Sequence, residues 1–467
     1  MPSHSPVDEA HNDYYDLPSN PISIFHTGPA WPLPTGIDPV RFAEAGGEPG
    51  PLFLWVGVIP RTLSRDDAEV AALRCKNILA EYEIMDVEIA FRESVFTRST
   101  RPQHLDHVPS LRSPNSRRTQ SIHSRSGSPY RSQGLPFEGT GCLYLCEGDQ
   151  VLLLTARHVA LLPSKHSNDL YHRKNNSMPR LEVTHPGSNA YQTALEAIMG
   201  RIGRETTVID HYKDEIDALG AAAEDEDAEI TAGRASAFWD TSLRPSNSVS
   251  TGDKRFTEDR ALVELDRGKF NWNAFRGNVI HLGTKITAGG FREKMYPHPE
   301  TCAQFKYPRG GLMKFRDFVK DGELRRPTIF DANREECLIV VKNGTSTGVT
   351  FGRTTSIESF VCDYKEYRIH STSMEITIYP YSHKDGAFSA PGGSGSVISD
   401  ANNRIVGMLT GGAGQTDSTD VTYASQYYFL DERIKKAFPN SHLYPIPPRW
   451  RNSAARGDSA AHQAHDE

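Results

Sequence analysis

Apolar and polar positions change rhythm several times along the chain, and each rhythm predicts an element. Residues 51–60 (PLFLWVGVIP) form a continuous apolar run, the pattern of a buried strand. Ser64 then stands as a helix cap, with Asp66 and Asp67 at the positive end of the helix dipole. Val70, Leu73, Ile78 and Leu79 predict an apolar side for a helix reaching about Tyr82. Residues 84–91 (IMDVEIAF) alternate like a half-buried strand, so residues 51–95 predict a small β-α-β unit. It lacks a glycine-rich phosphate loop and reads as a docking or regulatory module.

Further along, residues 139–163 read as two strands around a turn at Glu147–Gln150, the second ending at His158. Between 187 and 245 the period lengthens. Tyr191, Leu195, Ile198, Ile202, Ile209, Tyr212, Ile216 and Leu219 line one face of a helix, and a second helix through Phe238 follows the acidic run Glu224–Asp227. Residues 427–430 read as a strand and 431–438 as a helix.

Composition adds boundaries. A chain of 467 residues predicts about three units at ~150 residues each, and 37% hydrophobic content implies a packed core diluted by polar segments. Proline and glycine make 1–50 an extended arm. Residues 96–134 form a basic Ser/Arg/Pro linker in which Asp106 is the only acid between Arg98 and Arg131, and 441–467 form a polar tail. That linker reads either as a plain solvated tether or as a set of phosphorylation sites.

A net charge of −7 excludes a chain-wide basic field, so no nucleic acid is expected. No run of eighteen apolar residues occurs, so no membrane span is expected. The acidic start lacks the apolar core of a secretory signal, so a location in cytoplasm or nucleus is expected. The six cysteines are sparse, and Cys142 with Cys146 lacks a second ligand pair, so neither a disulfide framework nor a metal is expected.

Three segments carry candidate chemistry. His158 ends a buried apolar strand. Asp259 stands just before the apolar strand Ala261-Leu262-Val263, although Asp240, Asp253 and Asp266 compete on composition. Ser394 lies within Gly392-Gly393-Ser394-Gly395-Ser396, where glycines allow the N–H groups of Gly392 and Ser394 to converge on an oxyanion. A carboxylate that fixes a histidine, which in turn takes a proton from a serine, is the arrangement acyl transfer requires.

Thr155-Ala156-Arg157-His158, Asp259-Arg260-Ala261-Leu262 and Gly392-Gly393-Ser394-Gly395 resemble, in this order, the signature segments of trypsin-like (chymotrypsin-fold, PA clan) serine proteases. Residues 340–352 (VVKNGTSTGVTFG) resemble the first hairpin of the second barrel in bacterial members, and the arrangement is similar to fungal proteins with a trypsin-like domain. The resemblance implies a mainly β fold of two six-stranded antiparallel β-barrels, 135–285 and 286–440, the second with a closing helix. The N-terminal β-α-β unit precedes them, and a helical insertion at 187–245 offers a place for a protein partner.

The same resemblance implies a serine endopeptidase without cofactor, acting on protein or peptide substrates. Ser394 would be the nucleophile, His158 the base, Asp259 its orienting carboxylate, and Gly392 and Ser394 the oxyanion hole. Met408, Leu409, Thr410, Gly411 and Gly412 match the strand along which substrate backbone adds. Phe388 matches the pocket floor, where a carboxylate would select Lys or Arg. Val159 stands where secreted relatives carry a cysteine, and Gly393 replaces the Asp of zymogen activation. The alternative is a catalytically inactive pseudoprotease that binds peptides as a scaffold or sensor.

Overall fold

The computed structural model describes residues 23–24, 34–42, 49–98, 101–102, 121–125, 137–160, 182–184, 242–244, 255–265 and, with short gaps, 275–445. Its first long strand, β1 (Pro34–Arg41), falls within the region expected to be an arm. β1 pairs antiparallel with β2 (Leu52–Val58), α1 (Arg65–Glu81) follows, and β3 (Val87–Glu93) returns parallel to β2. Alternation along β2 serves two cores. Val56 and Val58 pack with Ala68, Ala71 and Ala72 of α1, while Trp55 faces Val40, Val361 and Tyr423.

The buried face of α1 differs from the expected one. Val70, Leu73 and Ile78 are exposed, and the three alanines face the sheet. Small side chains let the helix approach the strands closely, which larger apolar residues at those positions would prevent. Ser64 caps as expected from position, but its hydroxyl donates to Asp67 Oδ2 at 2.9 Å and makes no bond to the helix backbone.

After β3 comes β4 (Val95–Arg98). In the next region β5 (Phe137–Glu147) and β6 (Gln150–Thr155) form a hairpin, followed by the helical turn α2 (Arg157–Ala160). β6 pairs on its other edge with β7 (Ala261–Glu264). The same sheet contains Ser121–Arg125, Glu182–Thr184 and Ser242–Arg244, paired in that order between β5 and β7. The expected helical insertion lies outside the described residues apart from its end. There Ser242–Arg244 is strand, because the open edge of β7 takes a partner.

The C-terminal half holds β8 (Glu336–Gly344), β9 (Gly348–Thr354), β10 (Ser359–Asp363), β11 (Ser371–Pro380), β12 (Val397–Asp400), β13 (Arg404–Gly414) and β14 (Val421–Gln426). Antiparallel pairing runs β8–β9–β11–β14–β13–β12 and back to β8, a closed six-stranded barrel. Helix α3 (Tyr427–Ala437) closes it; Tyr427–Leu430, expected as strand, form the first turn of this helix and are buried there. Beyond it, His442–Leu443 pairs with β5 at Cys146 and Leu145, so the tail begins attached to the first sheet.

The β-α-β unit is continuous with this barrel, since β1 pairs β10 and β10 pairs β11. A buried cation fastens the joint. Arg92 of β3 reaches Asp38 at 2.8 Å and Asp420 at 3.2 Å, and lies 3.6 Å from the centre of the Trp55 ring. The Tyr423 hydroxyl donates to Asp38 at 2.9 Å. Among the described residues, no helix is long and apolar enough to cross a membrane, and no group of three His, Cys, Asp or Glu could hold a metal ion. Cys142 is buried in β5, and that burial pushes its thiol above the usual range.

Candidate active site

Strand register brings the first two candidate residues together. Ala261 of β7 stands opposite Thr155 of β6, so the chain before Ala261 runs back along the residues after Thr155. Arg157 N–H donates to the Asp259 carbonyl at 3.2 Å, and His158 N–H donates to Asp259 Oδ1 at 3.1 Å. His158 Nδ1 meets the other carboxylate oxygen, Oδ2. An ionised carboxylate only accepts, so Nδ1 carries the proton, and in the neutral form of the ring Nε2 is an acceptor.

A third group shares Oδ2. Arg98, the last residue of β4, places Nη1 2.9 Å from it. Burial alone would raise the Asp259 carboxyl, but the charges of His158 and Arg98 with the hydrogen bonds from His158 hold it well below the usual carboxylate range. The carboxylate is fully buried, and His158 and Arg98 are nearly so.

Ser394 approaches from the barrel. Its loop is stitched to β5: Thr140 N–H donates to the Ser394 carbonyl at 2.8 Å, and the Thr140 hydroxyl donates to the Gly392 carbonyl at 3.2 Å. The Thr155 hydroxyl donates in turn to the Thr140 carbonyl at 2.8 Å, which ties the loop to the strand leading into His158. Gly392 and Gly395 take φ of 95° and 87°, a region that favours glycine. Ser394 Oγ, wholly buried, donates to the Thr410 carbonyl at 2.9 Å. No hydrogen bond joins it to His158, whose buried Nε2 lacks a partner among the described residues.

The remaining candidates lie on β13 and before β12. Met408 and Leu409 are buried in the barrel core, while Thr410 supplies the carbonyl that holds Ser394. Gly411 and Gly412 pair with Arg98 and Thr97 of β4. Phe388 is also a core residue. Its ring lies 5.3 Å from the buried Lys342 ammonium, and a Cβ on Gly352 would come within 2.8 Å of it. Burial pulls Lys342 down to about 7, with its Nζ donating to the Thr347 hydroxyl at 2.6 Å. Gly393, at the expected zymogen position, donates its N–H to the Ala390 carbonyl at 3.0 Å.

Sequence reasoning missed two residues at this site. Arg98 reads from sequence as part of the basic linker 96–134, and only its alternation with Phe96 hints at a strand. Glu375 of β11 is buried, receives a bond from the Ser373 hydroxyl at 3.2 Å, and has Oε2 without a partner among the described residues. Burial pushes it up to about 7, with Asp259 adding to the rise. Nothing in its neighbourhood of sequence marks it.

No protein-family model matches the chain, and no curated protein matches it. These comparisons give no support to a likeness with fungal proteins. Among solved structures, the chain is similar to serine proteases of the trypsin and chymotrypsin type. A Nocardiopsis protease shares 11% identity over 69% of this chain and 96% of that one, with a TM-score of 0.31. Protease A of Thermobifida fusca shares 11% over 65% and 91%, with a TM-score of 0.30, and a glutamic-acid-specific serine protease shares 11% over 69% and 97%, with a TM-score of 0.29.

Proposed function

We propose that the chain is a serine endopeptidase of two-barrel, chymotrypsin-like architecture that acts in cytoplasm or nucleus. The observation that supports this reading is the doubled contact of His158 with Asp259, through backbone N–H and ring Nδ1, together with a glycine-flanked Ser394 whose loop is bonded to Thr140 of β5. A serine hydroxyl is a poor nucleophile at neutral pH and needs a base within hydrogen-bond reach. His158 is that base once Ser394 Oγ rotates from the Thr410 carbonyl toward Nε2.

In the first step Oγ bonds to the peptide carbonyl carbon while its proton passes to Nε2. Asp259 stabilises the imidazolium, and the N–H groups of Gly392 and Ser394 hold the oxyanion. The C–N bond then breaks and the amine leaves with the proton from Nε2. Water, activated by the same nitrogen, releases the acyl group and restores the serine.

The hydroxyl bound to Thr410 and the carboxylate shared with Arg98 favour a second reading, a pseudoprotease that binds peptides without cutting them. A fluorophosphonate probe separates the two. Adduct mapped to Ser394 by peptide mass, absent in Ser394→Ala and strongly slowed in His158→Ala, is the expected result. Absence of labelling from every folded form, including the loosened variants described next, overturns the enzyme.

A further inference from the structure

The edge of β13 along which a peptide would add is already filled by the chain itself. Val95–Arg98 runs antiparallel to it, with Arg98 opposite Gly411, Thr97 opposite Gly412, Phe96 opposite Ala413 and Val95 opposite Gly414. The other edge of the same stretch is held by β14. Any incoming strand must displace β4, because a backbone edge accepts one partner.

Side chains fix this segment in place. The Phe96 ring packs at a tilt against Tyr423, centroids 5.9 Å apart, and a Cβ on Gly411 would lie within 2.8 Å of both the Phe96 ring and the Thr97 carbonyl. Residue 411 must therefore lack a side chain for β4 to sit so close. Arg98 turns toward the site and pairs with Asp259 on the oxygen that also meets His158 Nδ1. A small cavity lined by Phe96, Arg98, Thr257, Ser373, Glu375 and Thr410 puts a second buried carboxyl beside the guanidinium. A little further along, Arg101–Pro102 pairs with Glu138 and Phe137 of β5, the strand whose Thr140 holds the Ser394 loop. The chain thus pairs both with β13, whose Thr410 carbonyl accepts from Ser394, and with β5, which holds the Ser394 loop.

We propose that Val95–Arg98 is an inhibitor built into the chain: it occupies the peptide-binding edge of β13, and Arg98 competes with His158 for Asp259, so that the intact protein is latent. The same contacts define the ligand the vacated edge takes, an extended peptide with an aromatic residue two places before an arginine. This inference rests on the serine-hydrolase reading for its latency and on strand pairing alone for its occupancy. The β-α-β unit, fastened through Arg92, keeps β4 beside the edge at a high effective concentration, which strengthens the block beyond what its local contacts supply.

The test compares the wild type with Arg98→Ala, which frees Asp259, and Phe96→Ala, which loosens the strand without touching the carboxylate. Circular dichroism confirms that each is folded. Fluorophosphonate labelling of Ser394 is expected to be at least tenfold faster in both variants, and the peptide acetyl-Val-Phe-Thr-Arg-amide is expected to slow it again. Equally fast labelling of all three proteins overturns the inhibitor and leaves the hydrolase intact. If none is labelled, the hydrolase fails and occupancy is read by fluorescence anisotropy of the dye-tagged peptide. Binding to the Phe96→Ala/Arg98→Ala double variant but not to wild type upholds occupancy, and no binding to either overturns it.

Discussion

A Cβ added to Gly395 would lie 1.9 Å from the carbonyl oxygen of Thr140. The contact locks the loop after Ser394 to β5, and it holds only because residue 395 has no side chain and takes a φ of 87°.

Gly395→Ala is therefore expected to lower stability by about 3 kcal/mol or more, combining a backbone clash with left-handed strain. Urea unfolding measures it. A change under 1 kcal/mol would show that the loop is not wedged against Thr140.

Arg92 is the buried cation between Asp38 and Asp420. Replacing it with Met keeps much of the volume but leaves two buried carboxylates without that charge, a change expected to destabilise by about 3–5 kcal/mol. Limited proteolysis should then cut between the β-α-β unit and the barrel sooner than in wild type. Unchanged cleavage would mean that strand pairing alone holds the unit.

Glu375 gives a pH dependence with a definite sign. Its carboxyl stays protonated in the folded protein up to about 7, whereas the unfolded chain releases that proton near the ordinary value of 4.5. The unfolded state then binds fewer protons, so this residue makes stability fall as pH rises from about 4.5 to 7 and adds no slope above. Glu375→Gln should remove the decline and be more stable than wild type at pH 8 by about 3 kcal/mol, with little difference at pH 4. Urea midpoints at the two pH values decide it, and parallel shifts at both would refute the assignment.

What was legible in the sequence was local. His158 and Asp259 each adjoin a short apolar strand, and the spacing of glycines around Ser394 announces a special backbone; those cues survive in β6, β7 and the loop before β12. Long-range relations left no such trace. Arg98 meets Asp259 across 161 positions, and no pattern within either neighbourhood points at the other. Pro34, Gly36 and Pro39 argue for irregular chain, yet β1 is strand because Asp38 meets Arg92 and Tyr423. On α1 bulk does not mark burial: of the expected apolar face only Leu79 packs against the core, and alanine is what the sheet accommodates.

One practical consequence comes from the sheet that runs unbroken from the β-α-β unit into the barrel. A polypeptide trimmed to begin at residue 137 would lose β1 and β4 together, baring β10 at Phe360 and Val361 and β13 from Gly411 to Gly414. Two naked strand margins invite neighbouring molecules to pair, the usual route to precipitation during overproduction. Retaining residues 34–98, or supplying them as a co-expressed fragment, keeps those margins dressed.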